Sequence, residues 1–338
     1  MASSYKDNIS NERLLEKRLD RSYGDNSHQN GSLTKHDMQV KKSRDLLLVG
    51  YLGGGTTFMG DILGSRNNSF YLYEPLYSMA QFGYFKPGHQ CSMTGGCRKN
   101  AQIDDHVLKI VHAIFSCEYD HFNHNITWWQ TAASKISNDQ RWEQSFLGCN
   151  VNCSRKYLSL CSQHGSIVSK MPRISIGLAS KLLNRLPNLK IVHLLRDPRA
   201  IMNSRKKYDW TPVPSGAISL CYKMFDDVLE AEKVKTAYPT RLYTVYYEDM
   251  VMEPLETFEK IYNFTGYNFD ANEKTRILDK MQNSTRIAKA WRNGIDDKIL
   301  RETNKACTRL YPRLGYPQIS NLLEIKNMSI PLRNKVIG

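Results

Sequence analysis

From Leu46 the chain runs through seven mostly apolar residues, reaches three consecutive glycines at Gly53 to Gly55, and continues into Thr56 and Thr57. A short apolar run, a glycine turn and then an apolar pattern at helical spacing (Thr56 to Leu63) read as strand, loop and helix. Such a unit cannot bury both strand faces by itself. It needs neighbouring parallel strands and covering helices. The rest of the chain supplies them. Phe70–Tyr73, Ser166–Lys170, Leu189–Leu195 and Leu242–Tyr247 read as strands. Helices are expected at Ile176–Leu186, from Pro198, at Ser215–Lys235, Pro254–Phe264, Glu273–Met281 and Lys298–Tyr311. Residues 80–165 read as irregular. The expected fold class is α/β, a central parallel sheet flanked by helices. Residues 1–44 are polar, without apolar periodicity, and are expected to form a disordered tail or stem ahead of a single domain at 45–338.

Ligands of parallel sheets sit beyond the carboxyl ends of the strands. Three strands end there in suggestive chemistry. The loop Gly50-Tyr-Leu-Gly-Gly-Gly-Thr-Thr57 has P-loop spacing: glycines let backbone N–H groups approach an anion, and the helix start adds a positive dipole. Thr56 stands where the P-loop lysine belongs, and no acidic strand end completes an ATPase or kinase site, so metal-assisted ATP chemistry is disfavoured. Glu74 follows the second strand as a candidate general base. Arg196 and Ser204, in Leu195-Arg-Asp-Pro-Arg-Ala200 and the helix after it, offer a forked cation and a hydroxyl to a second anion. His193, inside an apolar strand, reads as a packed core histidine.

Together, Gly53-Gly-Gly-Thr-Thr-Phe58 and Leu195-Arg-Asp-Pro-Arg-Ala200 with Asn203-Ser-Arg205 resemble the two nucleotide-binding signatures of carbohydrate sulfotransferases, most nearly the galactose/N-acetylglucosamine 6-O-sulfotransferases. Phe70-Tyr-Leu-Tyr-Glu-Pro75, Lys170-Met-Pro-Arg173, Tyr246-Tyr-Glu-Asp249, Ile261-Tyr-Asn-Phe264, Trp291-Arg292, Cys307 and Leu314-Gly-Tyr316 continue the resemblance in order over about 45–318. It implies a P-loop NTPase-like sulfotransferase fold. It also implies sulfuryl transfer from 3′-phosphoadenosine 5′-phosphosulfate (PAPS) to a sugar hydroxyl without a metal. Gly54, Gly55, Thr56, Thr57 and Phe58 would hold the 5′-phosphosulfate, Arg196 and Ser204 the 3′-phosphate, and Trp291 and Arg292 would clamp nucleotide or acceptor. The family usually carries Arg or Lys at the position of Gly53. Either another cation replaces it, with Lys170 and Arg173 the candidates, or the protein binds nucleotide without transferring efficiently. Protein-tyrosine or lipid acceptors on the same fold are a further alternative.

The net charge of +14 favours an anionic partner, and the absence of long basic runs speaks against a nucleic-acid arm. Eight Asn-X-Ser/Thr sequons and eight cysteines, without Cys-X-X-Cys spacing, point to the secretory pathway and to disulfides of undetermined pairing. By resemblance the protein is expected in the Golgi lumen, acting on a glycan of a glycoprotein or glycosaminoglycan. No signal or membrane-spanning segment is visible, so any membrane anchor is expected to lie outside this stretch of chain. The oligomeric state is left open.

Overall fold

A computed structural model describes residues 44–80, 82–118, 161–206 and 213–334. The expected tail lies outside them apart from Arg44, as do Trp128, Trp129, Cys149 and Cys153. All the described residues fall in one unit, Lys42–Gly338. The central sheet has five strands: β1 (Leu46–Val49), β2 (Ser69–Tyr73), β6 (Ser166–Lys170), β7 (Lys190–Leu195) and β8 (Leu242–Tyr246). Their spatial order is β2-β6-β1-β7-β8, and every pair is parallel.

The period of two along β1 decides which layer each side chain joins. Leu47 and Val49 face one core together with Phe70, Ile167 and Ile191. Leu46 and Leu48 face the other, with Val168, Val192 and Val245. Helix α1 (Thr56–Gly64) covers the second layer with α6 (Tyr247–Met252), α7 (Pro254–Thr265) and α8 (Ala271–Met281). Helix α2 (Ile103–Ser116) covers the first, together with the short α3 (Ile176–Ala179). A third cluster joins α4 (Pro198–Lys206), α5 (Ser215–Ala237), α9 (Ser284–Gly294) and α10 (Asp297–Cys307) around Tyr51 and Leu195.

Residues 80–165 are not irregular throughout. Gly83–Lys86 (β3), His89–Ser92 (β4) and Cys97–Lys99 (β5) form an antiparallel sheet, and α2 follows. The hairpin between β3 and β4 turns on Pro87-Gly88, with Gly88 at φ 70. Proline followed by a glycine of positive φ is a type II turn signature. The apolar residues Val107, Leu108, Val111 and Ile114 sit at helical spacing on the buried face of α2. The expected helix Ile176–Leu186 divides instead: α3 stops at Ala179 and a 3-10 turn runs from Ser180 to Asn184. Pro187 disfavours helical backbone at Leu186, so the winding ends short of it. The last expected helix ends at Cys307 rather than Tyr311, and α9 was not separately anticipated. No helix among the described residues is long and apolar enough to cross a membrane.

Every described cysteine is in a disulfide. Cys91 pairs with Cys97 across adjacent strands, Cys117 with Cys161, and Cys221 on α5 with Cys307 on α10. The last closes a sequence separation of 86 and the first one of only 6. Replacing Cys221 and Cys307 together by Ala should therefore cost about 4 kcal/mol of stability, against about 2 kcal/mol for the Cys91–Cys97 pair. Urea denaturation of the two double variants measures this, and equal losses would contradict the ranking.

Candidate functional site

All five parallel strands deliver their carboxyl ends to one edge, where three loops meet. The first joins β1 to α1. Gly53 and Gly55 have φ of 81 and 88. A Cβ at Gly55 would lie 2.5 Å from the Tyr247 ring, so glycine is required both by the backbone and by the aromatic wall against it. Gly54 N–H closes the turn on the Tyr51 carbonyl at 2.8 Å. Helix α1 then starts with no side-chain cap and no acidic residue in its first turn. The N–H groups of Thr56, Thr57 and Phe58 have no acceptor within the helix, an arrangement able to hold an anion. Thr57 is exposed there. Thr56 is buried with its methyl against Gly50, and Phe58 packs partly into the core.

The second loop carries Glu74. The pairing of β2 with β6 sets Tyr73 opposite Lys170, and Glu74 N–H donates to the Lys170 carbonyl at 2.9 Å. Glu74 itself sits at φ 45, an uncommon conformation for a residue with a side chain. Its carboxylate is clasped by Lys170 through one oxygen and by Arg173 through the other. All three side chains are almost fully buried. Lys170 also donates to the Thr57 hydroxyl at 3.1 Å and rests 3.6 Å from the centre of the Tyr73 ring. Arg173 lies 4.7 Å from the Tyr77 ring. Burial pushes its guanidinium down to about 10, which leaves it charged at neutral pH. Two cations against one carboxylate leave a net positive charge beside the open start of α1. The carboxylate keeps spare lone pairs for a further donor.

The third loop follows β7. Arg196 donates to the Gly53 carbonyl at 3.0 Å and stands 4.2 Å over the Tyr247 ring. Ser204, in the last turn of α4, faces Gly53: a Cβ on Gly53 would lie 3.5 Å from its hydroxyl. The structure thus brings Arg196 and Ser204 against the glycine loop. Behind Arg196 the polar groups turn inward. Asp197 forks onto the buried Arg199 and gives its N–H to Glu248, which also accepts from the Tyr316 hydroxyl. Arg205 donates to the Leu52 carbonyl at 3.0 Å and so braces the loop from α4.

Two expected clamp residues have other employment. Arg292 donates to the carbonyls of Ile330 at 2.7 Å and Pro331 at 2.9 Å, so it ties down the C-terminal segment instead of offering its fork to a ligand. Trp291 packs in the third core cluster. His193 is a core histidine: its Nε2 meets the Tyr51 hydroxyl at 3.0 Å, and burial pushes it down to about 3, so it is neutral. Tyr73, Tyr77, Tyr247 and Arg205 were not singled out from sequence. Tyr247 carried the clearest available signal, since it closes the expected strand Leu242–Tyr247 within the motif Tyr246-Tyr-Glu-Asp249.

Residues 46–271 match the family model described as "Sulfotransferase family". The chain is 23% identical over 363 residues to carbohydrate sulfotransferase 4 of Mus musculus, covering 89% of this chain and 90% of that one. It is 23% identical over 356 residues to carbohydrate sulfotransferase 1 of Danio rerio, covering 85% and 81%. Among solved structures it is similar to a retinol dehydratase complexed with androsterone and the inactive cofactor PAP. The TM-score there is 0.41 and the identity 14%, with 82% of this chain and 83% of that one covered.

The loop geometry predicts that Gly55→Ala destabilises the protein by about 2 kcal/mol or more through the left-handed backbone and the Tyr247 clash. A denaturation midpoint unchanged from wild type would contradict that packing. Glu248 gives a pH prediction. Burial, followed by the nearby Asp197 charge, pushes its carboxyl from 4.5 up to about 7. The folded state therefore holds this proton more tightly than the unfolded chain does. The stability it contributes is complete below about pH 4.5 and is lost as pH rises through about 7. Relative to wild type, Glu248→Gln should gain about 3 kcal/mol between pH 4 and pH 8. Urea unfolding at both pH values checks this, and a difference that does not change with pH would contradict it.

Proposed function

The chain belongs to the sulfotransferase family, and we propose that it transfers a sulfuryl group from PAPS to a carbohydrate hydroxyl, the 6-position of a galactose or N-acetylglucosamine unit. The observation that carries this reading is the bridge made by Lys170 between the Thr57 hydroxyl and the Glu74 carboxylate. It links the anion seat at the start of α1 to a carboxylate able to take a proton. Carbohydrate as the acceptor is supported by the relatives, named as carbohydrate sulfotransferases and matched over most of their lengths. PAPS as the donor is supported by the family match and by two adjoining anion seats, one at the start of α1 and one at Arg196 and Ser204.

PAPS supplies the sulfuryl group and a phosphate leaving group. The chain supplies the rest. The first-turn N–H groups of α1 and the Thr57 hydroxyl hold the phosphosulfate, and Arg196 and Ser204 take the 3′-phosphate. As the acceptor oxygen bonds to sulfur and the bond from sulfur to the bridging phosphate oxygen breaks, Glu74 accepts the hydroxyl proton. Negative charge gathers on the leaving phosphate, and Lys170 is fixed to meet it. Gly53 is then no deficiency, because the cation comes from β6 instead of the loop. The disulfides among the described residues support a luminal, secretory-pathway setting, with the Golgi as the proposed compartment. A glycan on a glycoprotein or a glycosaminoglycan is the proposed partner.

The test is transfer of labelled sulfate from PAPS to a glycan panel. Wild type should transfer. Lys170→Ala should lower kcat about a hundredfold or more, and so should Glu74→Gln, with nucleotide binding retained in the latter. Thermal melts confirm that each variant is folded. Full activity in Lys170→Ala would remove Lys170 from the role, and a silent wild type across the panel would overturn the reading.

A further inference from the structure

Beside the three loops, a cleft of about 310 Å³ opens between β3 and α5, with Tyr84, Ser175 and Gly177 in its walls. Its charged groups come in three pairs. Lys223 and Asp227, 2.6 Å apart, lie at its buried end, Lys86 and Asp226 meet at 3.2 Å at its half-exposed rim, and Lys233 and Glu230 meet at 2.7 Å further out. We propose that this cleft seats the acceptor, and that the unit it takes is an uncharged sugar, rich in hydroxyls and carrying neither sulfate nor carboxylate. The proposal rests on the sulfotransferase reading above and specifies the substrate class of that site.

Position supports it first. A narrower slot shares Tyr84 and Lys223 with the cleft and is lined further in by Leu52, Pro172 and Arg205. Leu52 directly precedes Gly53, and Pro172 lies between Lys170 and Arg173. The strand forming one wall is bonded to the same segment: Phe85 N–H donates to the Arg173 carbonyl and Ser175 N–H to the Phe85 carbonyl, both at 2.8 Å. The cleft is therefore continuous with the backbone that carries both cations around Glu74.

Charge supports it next. The whole chain carries +14, yet here three lysines are matched by three carboxylates. A polyanion would have to bring its own charges against those carboxylates. A hydroxyl both donates and accepts, so it can join a Lys–Asp pair without displacing either partner. The buried pair is firmly built: Asp227 accepts the Ile176 N–H at 2.8 Å with its other oxygen. A volume of this size is at the small end for ligand clefts and suits about one or two sugar rings.

The experiment measures transfer from PAPS to a neutral oligosaccharide ending in galactose or N-acetylglucosamine, and to the same oligosaccharide already sulfated. The proteins are wild type, Lys86→Ala, Asp226→Ala and Gly177→Leu. A Cβ on Gly177 would already lie 3.4 Å from Glu230 and 3.5 Å from Pro87, so leucine there fills the cleft. The expected result is a neutral-acceptor KM raised about threefold to tenfold in the two charge variants and more than about tenfold in Gly177→Leu. In all three, kcat and the Kd for the desulfated nucleotide should stay within about twofold of wild type. Active variants with wild-type acceptor KM would overturn the cleft assignment while leaving the sulfotransferase reading intact. A preference for the sulfated acceptor would overturn the uncharged-sugar assignment. A wild type silent on every glycan would overturn the functional reading, and the cleft assignment with it.

Discussion

The ammonium group of Lys170 is where strand register, helix start and charge meet. It is the last residue of β6, held beside Tyr73 by parallel pairing, and it reaches the Thr57 hydroxyl on α1 and the Glu74 carboxylate after β2. Three separate stretches of chain are tied at that atom. A buried ammonium is costly without partners. Here it has a carboxylate, a hydroxyl and the face of an aromatic ring. Arg173 makes the same carboxylate serve two cations, so removing Glu74 would leave both buried cations without their counter-charge. Both ion pairs fall on a residue whose backbone lies at φ 45.

The proposed second anion seat depends on a different device. Arg196 can face the glycine loop because the polar groups after it are satisfied inward, in a chain from Arg199 through Asp197 to Glu248 and Tyr316. These residues come from the loop after β7, from α4 and α6 and from the segment before the C-terminus, so the carboxyl ends of β7 and β8 are tied together beside the site. Arg205 and Tyr247 complete the support: one holds the Leu52 carbonyl, and the other fills the space that a side chain at position 55 would need. The loop is therefore rigid on both flanks, which is the condition for donors to be in place before charge develops.

The parallel strands and the glycine loop were legible because both signals are local: apolar runs of strand length, and glycines at a strand-to-helix turn. The antiparallel sheet was not recognised, although Lys86-Pro-Gly-His89 is a turn signature, because β5 has no apolar pattern of its own and is exposed along its length. The sequence marks Glu74, Lys170 and Arg173 one by one, but their mutual ion pairing is not visible in it, because that follows from strand order and register. Arg292 shows the converse. Its place in a family-like pattern suggested a ligand, while its two terminal nitrogens donate to carbonyls almost forty residues on, which only tertiary structure shows.

Why the cation should come from a strand and not from the loop can be argued from Gly53. Its backbone is left-handed, and a Cβ there would sit 3.2 Å from the Ile201 carbonyl and close to Ser204. A long basic side chain at that position would be strained at its root and would crowd the second anion seat. The loop has instead been drawn in against α4, with Arg196 bonded to the Gly53 carbonyl. A lysine anchored in the sheet meets the same electrostatic need with less freedom to lose, because its stem is buried and its head is fixed by three contacts. On the proposed reading, glycine at 53 and lysine at 170 are two halves of one arrangement, in which close contact between the two proposed anion seats is compatible with a positive charge beside the leaving group.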